Sequence, residues 1–75
     1  PMNEDRIKAK LDEGCLIIIN VGPGDFTDSG HFITIIGYDR DGFIINDSNS
    51  RTNSKKRWSY EQLSRQMRNL WAMYN

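Results

Sequence analysis

Seventy-five residues make at most one domain, and a chain of that length buries only about 60–65% of its unfolded surface, so its core alone supplies roughly 3–5 kcal/mol. Ten basic and ten acidic side chains cancel, leaving no net field to draw the protein to nucleic acid or anionic lipid. The single cysteine excludes an internal disulfide and a zinc cluster of thiolates, no apolar run approaches the ~20 residues of a membrane span, and neither a metal nor a cofactor is expected.

The sequence opens on Pro1 with no initiator methionine and no signal peptide before the first predicted helix. This suggests a cut or engineered end. From Asn3 to Glu13 the chain reads as a short helix, with Asn3 as N-cap, Glu4 and Asp5 in the first turn, and Ile7 and Leu11 one turn apart. Gly14 ends it. The run Cys15-Leu16-Ile17-Ile18-Ile19-Asn20-Val21 is too short and too β-branched for another helix, which predicts a strand buried on both faces. Gly22-Pro23-Gly24 breaks that strand, and the turn formers from Asp25 to Ser29, around Phe26, deliver the chain to His31.

From Gly30 to Ser50 the sequence reads as two strands joined by a turn. Ile33, Ile35, Ile36 and Tyr38 on one side, and Phe43, Ile44 and Ile45 on the other, have the composition of a buried hairpin. In Asp39-Arg40-Asp41-Gly42, a type I turn followed by Gly42 in the left-handed region predicts a three-residue loop that pairs Asp39 with Phe43. Paired positions then sum to an even number, so His31 and Asp47 share one face; a two-residue loop would put them on opposite faces. The regular ladder sets Asp47 opposite Ile35, about 13 Å along the strand from His31 at roughly 3.3 Å per residue. A bend, a bulge or an extra crossing has to close that gap if the two are to bond.

The segment from Ser48 to Arg57 is polar and turn-rich, cannot pack a core, and carries Arg51, Lys55, Lys56 and Arg57 as a solvated basic run. Ser59 is an N-cap with Gln62 completing a capping box and Trp58 placed to pack on Leu63. A helix from Tyr60 to about Arg68 follows, and the apolar, aromatic Leu70-Trp71-Ala72-Met73-Tyr74 predicts a closing strand. The expected class is α+β, in the order helix, strand, strand, strand, helix, strand.

The lone imidazole and a carboxylate at strand mouths are the candidate chemistry. A histidine with a carboxylate on its second nitrogen is held in one tautomer and stabilised as imidazolium, which is what a cysteine or serine nucleophile needs from its base. Each residue also has a structural reading. His31 is then a strand-end histidine satisfied by backbone, and Asp47 an Asx turn with Ser48 and Asn49. Cys15 opens an aliphatic strand, where a thiol is an inert small hydrophobe. Asp39 and Asp41 before Gly42 echo part of a calcium loop, but the later ligands and the bidentate Glu are missing, so they read as a hairpin turn.

The strings Gly30-His31-Phe32, Ile36-Gly37-Tyr38 and Ile44-Ile45-Asn46-Asp47-Ser48 resemble the His and Asp/Asn half of papain-like cysteine peptidases, closest to the bacteriocin-processing, double-glycine-type branch and its bacterial relatives. The lead-in of helix, Leu-Asp-x-Gly, aliphatic strand, Gly-Pro-Gly and Ser-Gly-His is similar too, as is Trp58-Ser59-Tyr60-Glu61-Gln62-Leu63, so the likeness covers nearly the whole chain. It implies that residues 1–75 are the antiparallel-sheet, C-terminal half of such a domain, a fragment of a bacterial protein that is secreted or held at the cell surface. His31 would be the general base and Asp47 its orienter. The nucleophilic Cys at a helix start and the oxyanion Gln would come from an N-terminal half-domain; Cys15 matches no catalytic position of the family. The implied partners are a peptide or protein substrate, that half-domain, and a second copy through an exposed sheet face. Without a nucleophile the chain alone would be inactive, and the alternative role is a non-catalytic binding or scaffold module. Where papain carries a Trp after its orienting residue, this chain has Asn49 and its neighbours.

Overall fold

Asn3 starts the first helix as its sequence context requires: in the computed structural model, which describes residues 3–74, its side chain accepts a hydrogen bond from the Arg6 amide at 3.0 Å. Helix α1 runs over Glu4–Asp12 with Ile7 buried and Leu11 packed against the core. Glu4 and Lys8 pair at 3.0 Å along its outer side. Gly14, at φ 92°, then turns the chain into β1 (Cys15–Val21). Next come β2 (His31–Asp39), β3 (Gly42–Asn46), α2 (Arg51–Lys55), β4 (Arg57–Trp58), α3 (Tyr60–Ser64) and β5 (Met67–Tyr74). The strands form one antiparallel sheet in the order β4-β3-β2-β1-β5, giving an α+β fold.

Strand β1 is not buried on both faces. Cys15, Ile17, Ile19 and Val21 are buried, whereas the alternate Leu16, Ile18 and Asn20 are only half-buried. The reason is that the core lies to one side of the sheet. Ile7 of α1, Leu63 of α3, Trp58 and Phe26 join the buried β1 row there, together with Ile33, Ile35, Phe43 and Ile45. Phe26 anchors the loop before β2 by packing its ring 4.6 Å from that of Trp58. On the opposite side Phe32, Trp71 and Met73, paired with Asn20, Ile18 and Leu16, stay exposed, and the Phe32 and Trp71 rings meet at 6.1 Å.

The β2–β3 hairpin also departs from expectation. Asp39 pairs with Gly42, so the loop is Arg40-Asp41, two residues and not three. Two contacts settle it. Asp39 Oδ1 accepts from the Asp41 amide at 2.9 Å, closing the tight turn, and β4 lays the Trp58 backbone over Gly42. A plain two-residue hairpin would separate His31 and Asp47 onto opposite faces. A bulge at Ile36 reverses this: Gly37 pairs with Ile44 but Ile35 with Ile45, so paired positions sum to an odd number near the turn and an even number beyond it. Continued one step past Thr34–Asn46, the ladder brings Asp47 opposite Ile33, and His31 lies two residues further on the same face, about 7 Å away by strand rise.

The polar stretch after Asp47 is more ordered than its composition suggests. Ser50 caps α2 by accepting from the Asn53 amide at 3.0 Å, and β4 joins the sheet through Phe43–Trp58 and Ile44–Arg57. As expected, α2 buries no residue of its own. Ser59 and Gln62 form the anticipated capping box, at 3.1 and 2.9 Å. Helix α3 nevertheless stops at Ser64, short of Arg68, because the Gly22 amide takes the Gln66 carbonyl at 2.8 Å and draws the chain into β5. That strand therefore begins at Met67, before the expected Leu70, pairing Met67 with Val21 past a register shift.

Gly42, at φ 135°, is the position least able to accept a side chain, since a Cβ there would lie 2.7 Å from the Trp58 carbonyl oxygen. Urea unfolding of Gly42→Ala should reveal a loss of about 1–3 kcal/mol, whereas Gly14→Ala, with open space around its Cβ, should lose less.

Candidate active site

Strand β2 presents His31 at its first residue, and β3 hands the chain to Asp47 one residue past its last. The bulge at Ile36 makes both side chains project to the same side, where Nε2 of His31 and Oδ1 of Asp47 meet at 2.9 Å. The Asp47 side chain has no exposed surface and that of His31 keeps 14%. The two residues singled out in the sequence are thus brought together.

A buried carboxylate needs donors, and Asp47 has them. Its Oδ1 also accepts from the Asn49 backbone amide at 2.9 Å, and its Oδ2 accepts from the Asn53 side-chain amide at 3.3 Å. Its backbone is fixed as well: the Asp47 amide donates to Ser54 Oγ at 2.8 Å, and that hydroxyl lies 3.2 Å from the Asp47 carbonyl and 2.9 Å from that of Ser50. Burial by itself pushes the Asp47 carboxyl up. The Asn49 amide, His31 and Asn53 together outweigh that and hold it below the ordinary carboxylate range.

The ring of His31 is oriented from both sides. Nε2 faces a carboxylate, an acceptor, and Nδ1 lies 3.4 Å from Asn49 Nδ2, a donor. Both contacts select the tautomer with hydrogen on Nε2 and the lone pair on Nδ1. Nδ1 therefore carries the basic lone pair, and Asn49 Nδ2 has to move aside before that lone pair can meet a reactant. The His31 carbonyl accepts from Asn20 Nδ2 at 3.3 Å, which ties the strand mouth to β1.

Reading the sequence placed Asn49 in an Asx turn with Asp47, which its amide forms, but gave it no contact with His31 and missed Ser50, Asn53 and Ser54 as parts of this site. The one available signal was Asp47 followed by Ser and Asn residues able to form Asx turns and caps, a signal too common to assign. Cys15 lies elsewhere. It is 2% exposed, and Val21, which pairs with His31, is six residues further along β1, so thiol and imidazole stand roughly 20 Å apart. Asp39 is committed to the hairpin, where first the Arg57 guanidinium at 2.9 Å and then the Asp41 amide lower its carboxyl. Among the described residues no cluster of His, Cys, Asp and Glu suits a metal ion, and no helix is long and apolar enough to cross a membrane.

Two outcomes follow. Because the folded Asp47 carboxyl titrates below its unfolded value near 3.9, its contribution to stability is complete above about pH 4 and is lost as pH falls through the folded value. Denaturant unfolding at pH 6 and pH 3 should therefore show a wider gap between the wild type and Asp47→Asn at pH 6. Cys15, for its part, should resist iodoacetamide in the folded protein and react on addition of denaturant, as read by mass spectrometry.

Searches among curated proteins and among solved structures return no match. The profile of a family of cysteine peptidase relatives does match, over residues 2–75, and so spans both the hairpin that carries His31 and Asp47 and the elements that support it. On that match the chain is a peptidase-related domain and belongs to the Peptidase_C39 like family.

Proposed function

We propose that this chain is the His/Asp half of a papain-like cysteine peptidase site acting on peptide or protein substrates. His31 is the general base and then the general acid, and Asp47 holds its ring. The observation that carries this reading is the imidazole fixed by a wholly buried carboxylate on Nε2, with its lone pair on Nδ1 met only by the exposed Asn49 side-chain amide at 3.4 Å. In the reaction, Nδ1 takes the proton of a cysteine thiol as the sulfur attacks the scissile carbonyl. It then returns that proton to the leaving amine, and Asp47 stabilises the imidazolium between the two steps.

The nucleophile belongs to an N-terminal half-domain together with the oxyanion-binding Gln. Cys15 is buried and far from His31, which rules it out as that nucleophile. The exposed row of Phe32, Trp71 and Met73 is apolar surface fit for covering by that half-domain or, in its absence, by a second copy. The remoteness of Cys15 also favours a second reading, a peptidase-like binding or scaffold module that has no nucleophile anywhere.

The two readings separate in the longest natural polypeptide that contains this chain. For the enzyme, His31→Ala and Asp47→Asn should each lower kcat for peptide hydrolysis by roughly 10³–10⁴ or more, and the isolated chain should be inactive. Hydrolysis equal in wild type and His31→Ala, or absent in both, would leave the module as the better account.

A further inference from the structure

We infer that Asn53 is a positioning residue for the His31–Asp47 pair, acting through the carboxylate oxygen that His31 does not use; this rests on the reading of that pair given above. Its side-chain Nδ2 has two hydrogens and two acceptors, Asp47 Oδ2 at 3.3 Å and the Asp25 carbonyl at 3.4 Å. The backbone beneath is held at both ends. The Asn53 amide donates to Ser50 Oγ at 3.0 Å, and its carbonyl accepts from Trp58 Nε1 at 2.9 Å. Trp58 is 1% exposed and packs on Phe26, so the peptide unit of Asn53 is anchored in the core while its amide reaches out to the site.

This arrangement does what a positioning group must. Oδ1 is shared between His31 and the Asn49 amide, and a turn of the carboxylate about its Cβ–Cγ bond moves both oxygens, so a bond to the second oxygen adds directly to the resistance against that turn. Asn53 supplies that second point, and it is neutral, so it fixes the plane of the carboxylate without competing with His31 for its charge. The bond to Asp25 joins the same amide to the loop that leads into β2. One side chain thus ties both segments that end at the pair.

The chain has one histidine, so its ring ¹⁵N signals are unambiguous and report tautomer directly. The wild type at neutral imidazole should give the single Nε2–H signature. Asn53→Ala keeps the backbone bonds to Ser50 and Trp58 but removes the amide, and its ring shifts should move toward a mixture of tautomers. A variant-free measurement stands beside these: in wild type, the Asn53 side-chain amide resonances should move with the Asp47 carboxyl ¹³C signal as acid is added. Coincident ring shifts in folded Asn53→Ala and wild type, or Asn53 amide signals indifferent to Asp47 protonation, would overturn the assignment. Asp47→Asn is the control for the underlying pair. If it too leaves the ring unchanged, the pairing itself is wrong; if it shifts the ring and Asn53→Ala does not, only the role of Asn53 fails.

Discussion

A carboxylate without exposed surface is the most demanding group in this fold. Left unpaired it would cost several kcal/mol or take up a proton. Asp47 avoids both by drawing donors from three separate segments: His31 at the mouth of β2, the Asn49 amide in the turn after β3, and Asn53 in α2. Two of these donors are neutral amides, so the site does not depend on a permanent cation. That matters for the ring opposite, because a lysine or arginine beside Asp47 would compete for the carboxylate and weaken its hold on His31.

Placing the pair on one face is a matter of parity, and here two features of β2 and β3 offset one another. Sequence logic reached a shared face through a three-residue loop; the chain reaches it through a two-residue loop and a bulge at Ile36. The conclusion survived while its premise did not. The loop length was illegible because β4, a strand of only two residues, brings the Trp58 backbone over Gly42 from outside the hairpin. The bulge was illegible for a related reason: Ile35 and Ile36 are equally good strand residues, and only pairing with β3 determines which of them is passed over.

Local signals were readable wherever one residue settles the outcome. Asn3 and Ser59 cap their helices as side-chain chemistry dictates, Gly14 ends α1, and the β-branched run gives β1. Helix α2 is the counter-example. Arg51–Lys55 has no apolar periodicity, is too short to persist in isolation, and exists because Ser50, Ser54 and Trp58 satisfy its ends from within the assembled structure. The site residues Asn49 and Asn53 are carried by this segment and its approach, which is why His31 and Asp47 were visible in the sequence and their supports were not. The core lying to one side of β1 belongs with these tertiary facts, since a row of isoleucines does not say how many layers cover it.

The two ends of β1 keep the chain's one thiol and its one imidazole apart. At Cys15 the sulfur is enclosed by the core, and at Val21 the strand holds the backbone of His31. In the catalytic reading proposed above, a nucleophile that meets His31 approaches Nδ1, because Nε2 is committed to Asp47. Asn49 Nδ2 stands on that approach, but at 3.4 Å it makes the longer of the two ring contacts and its residue is exposed. Displacing it forfeits little, since water can replace the lost bond. The Asn49 backbone amide remains on Asp47 Oδ1 meanwhile. The same residue can therefore release Nδ1 and still hold the carboxylate; in the reaction proposed above, this lets the base open to a reactant without loosening the pair that orients it.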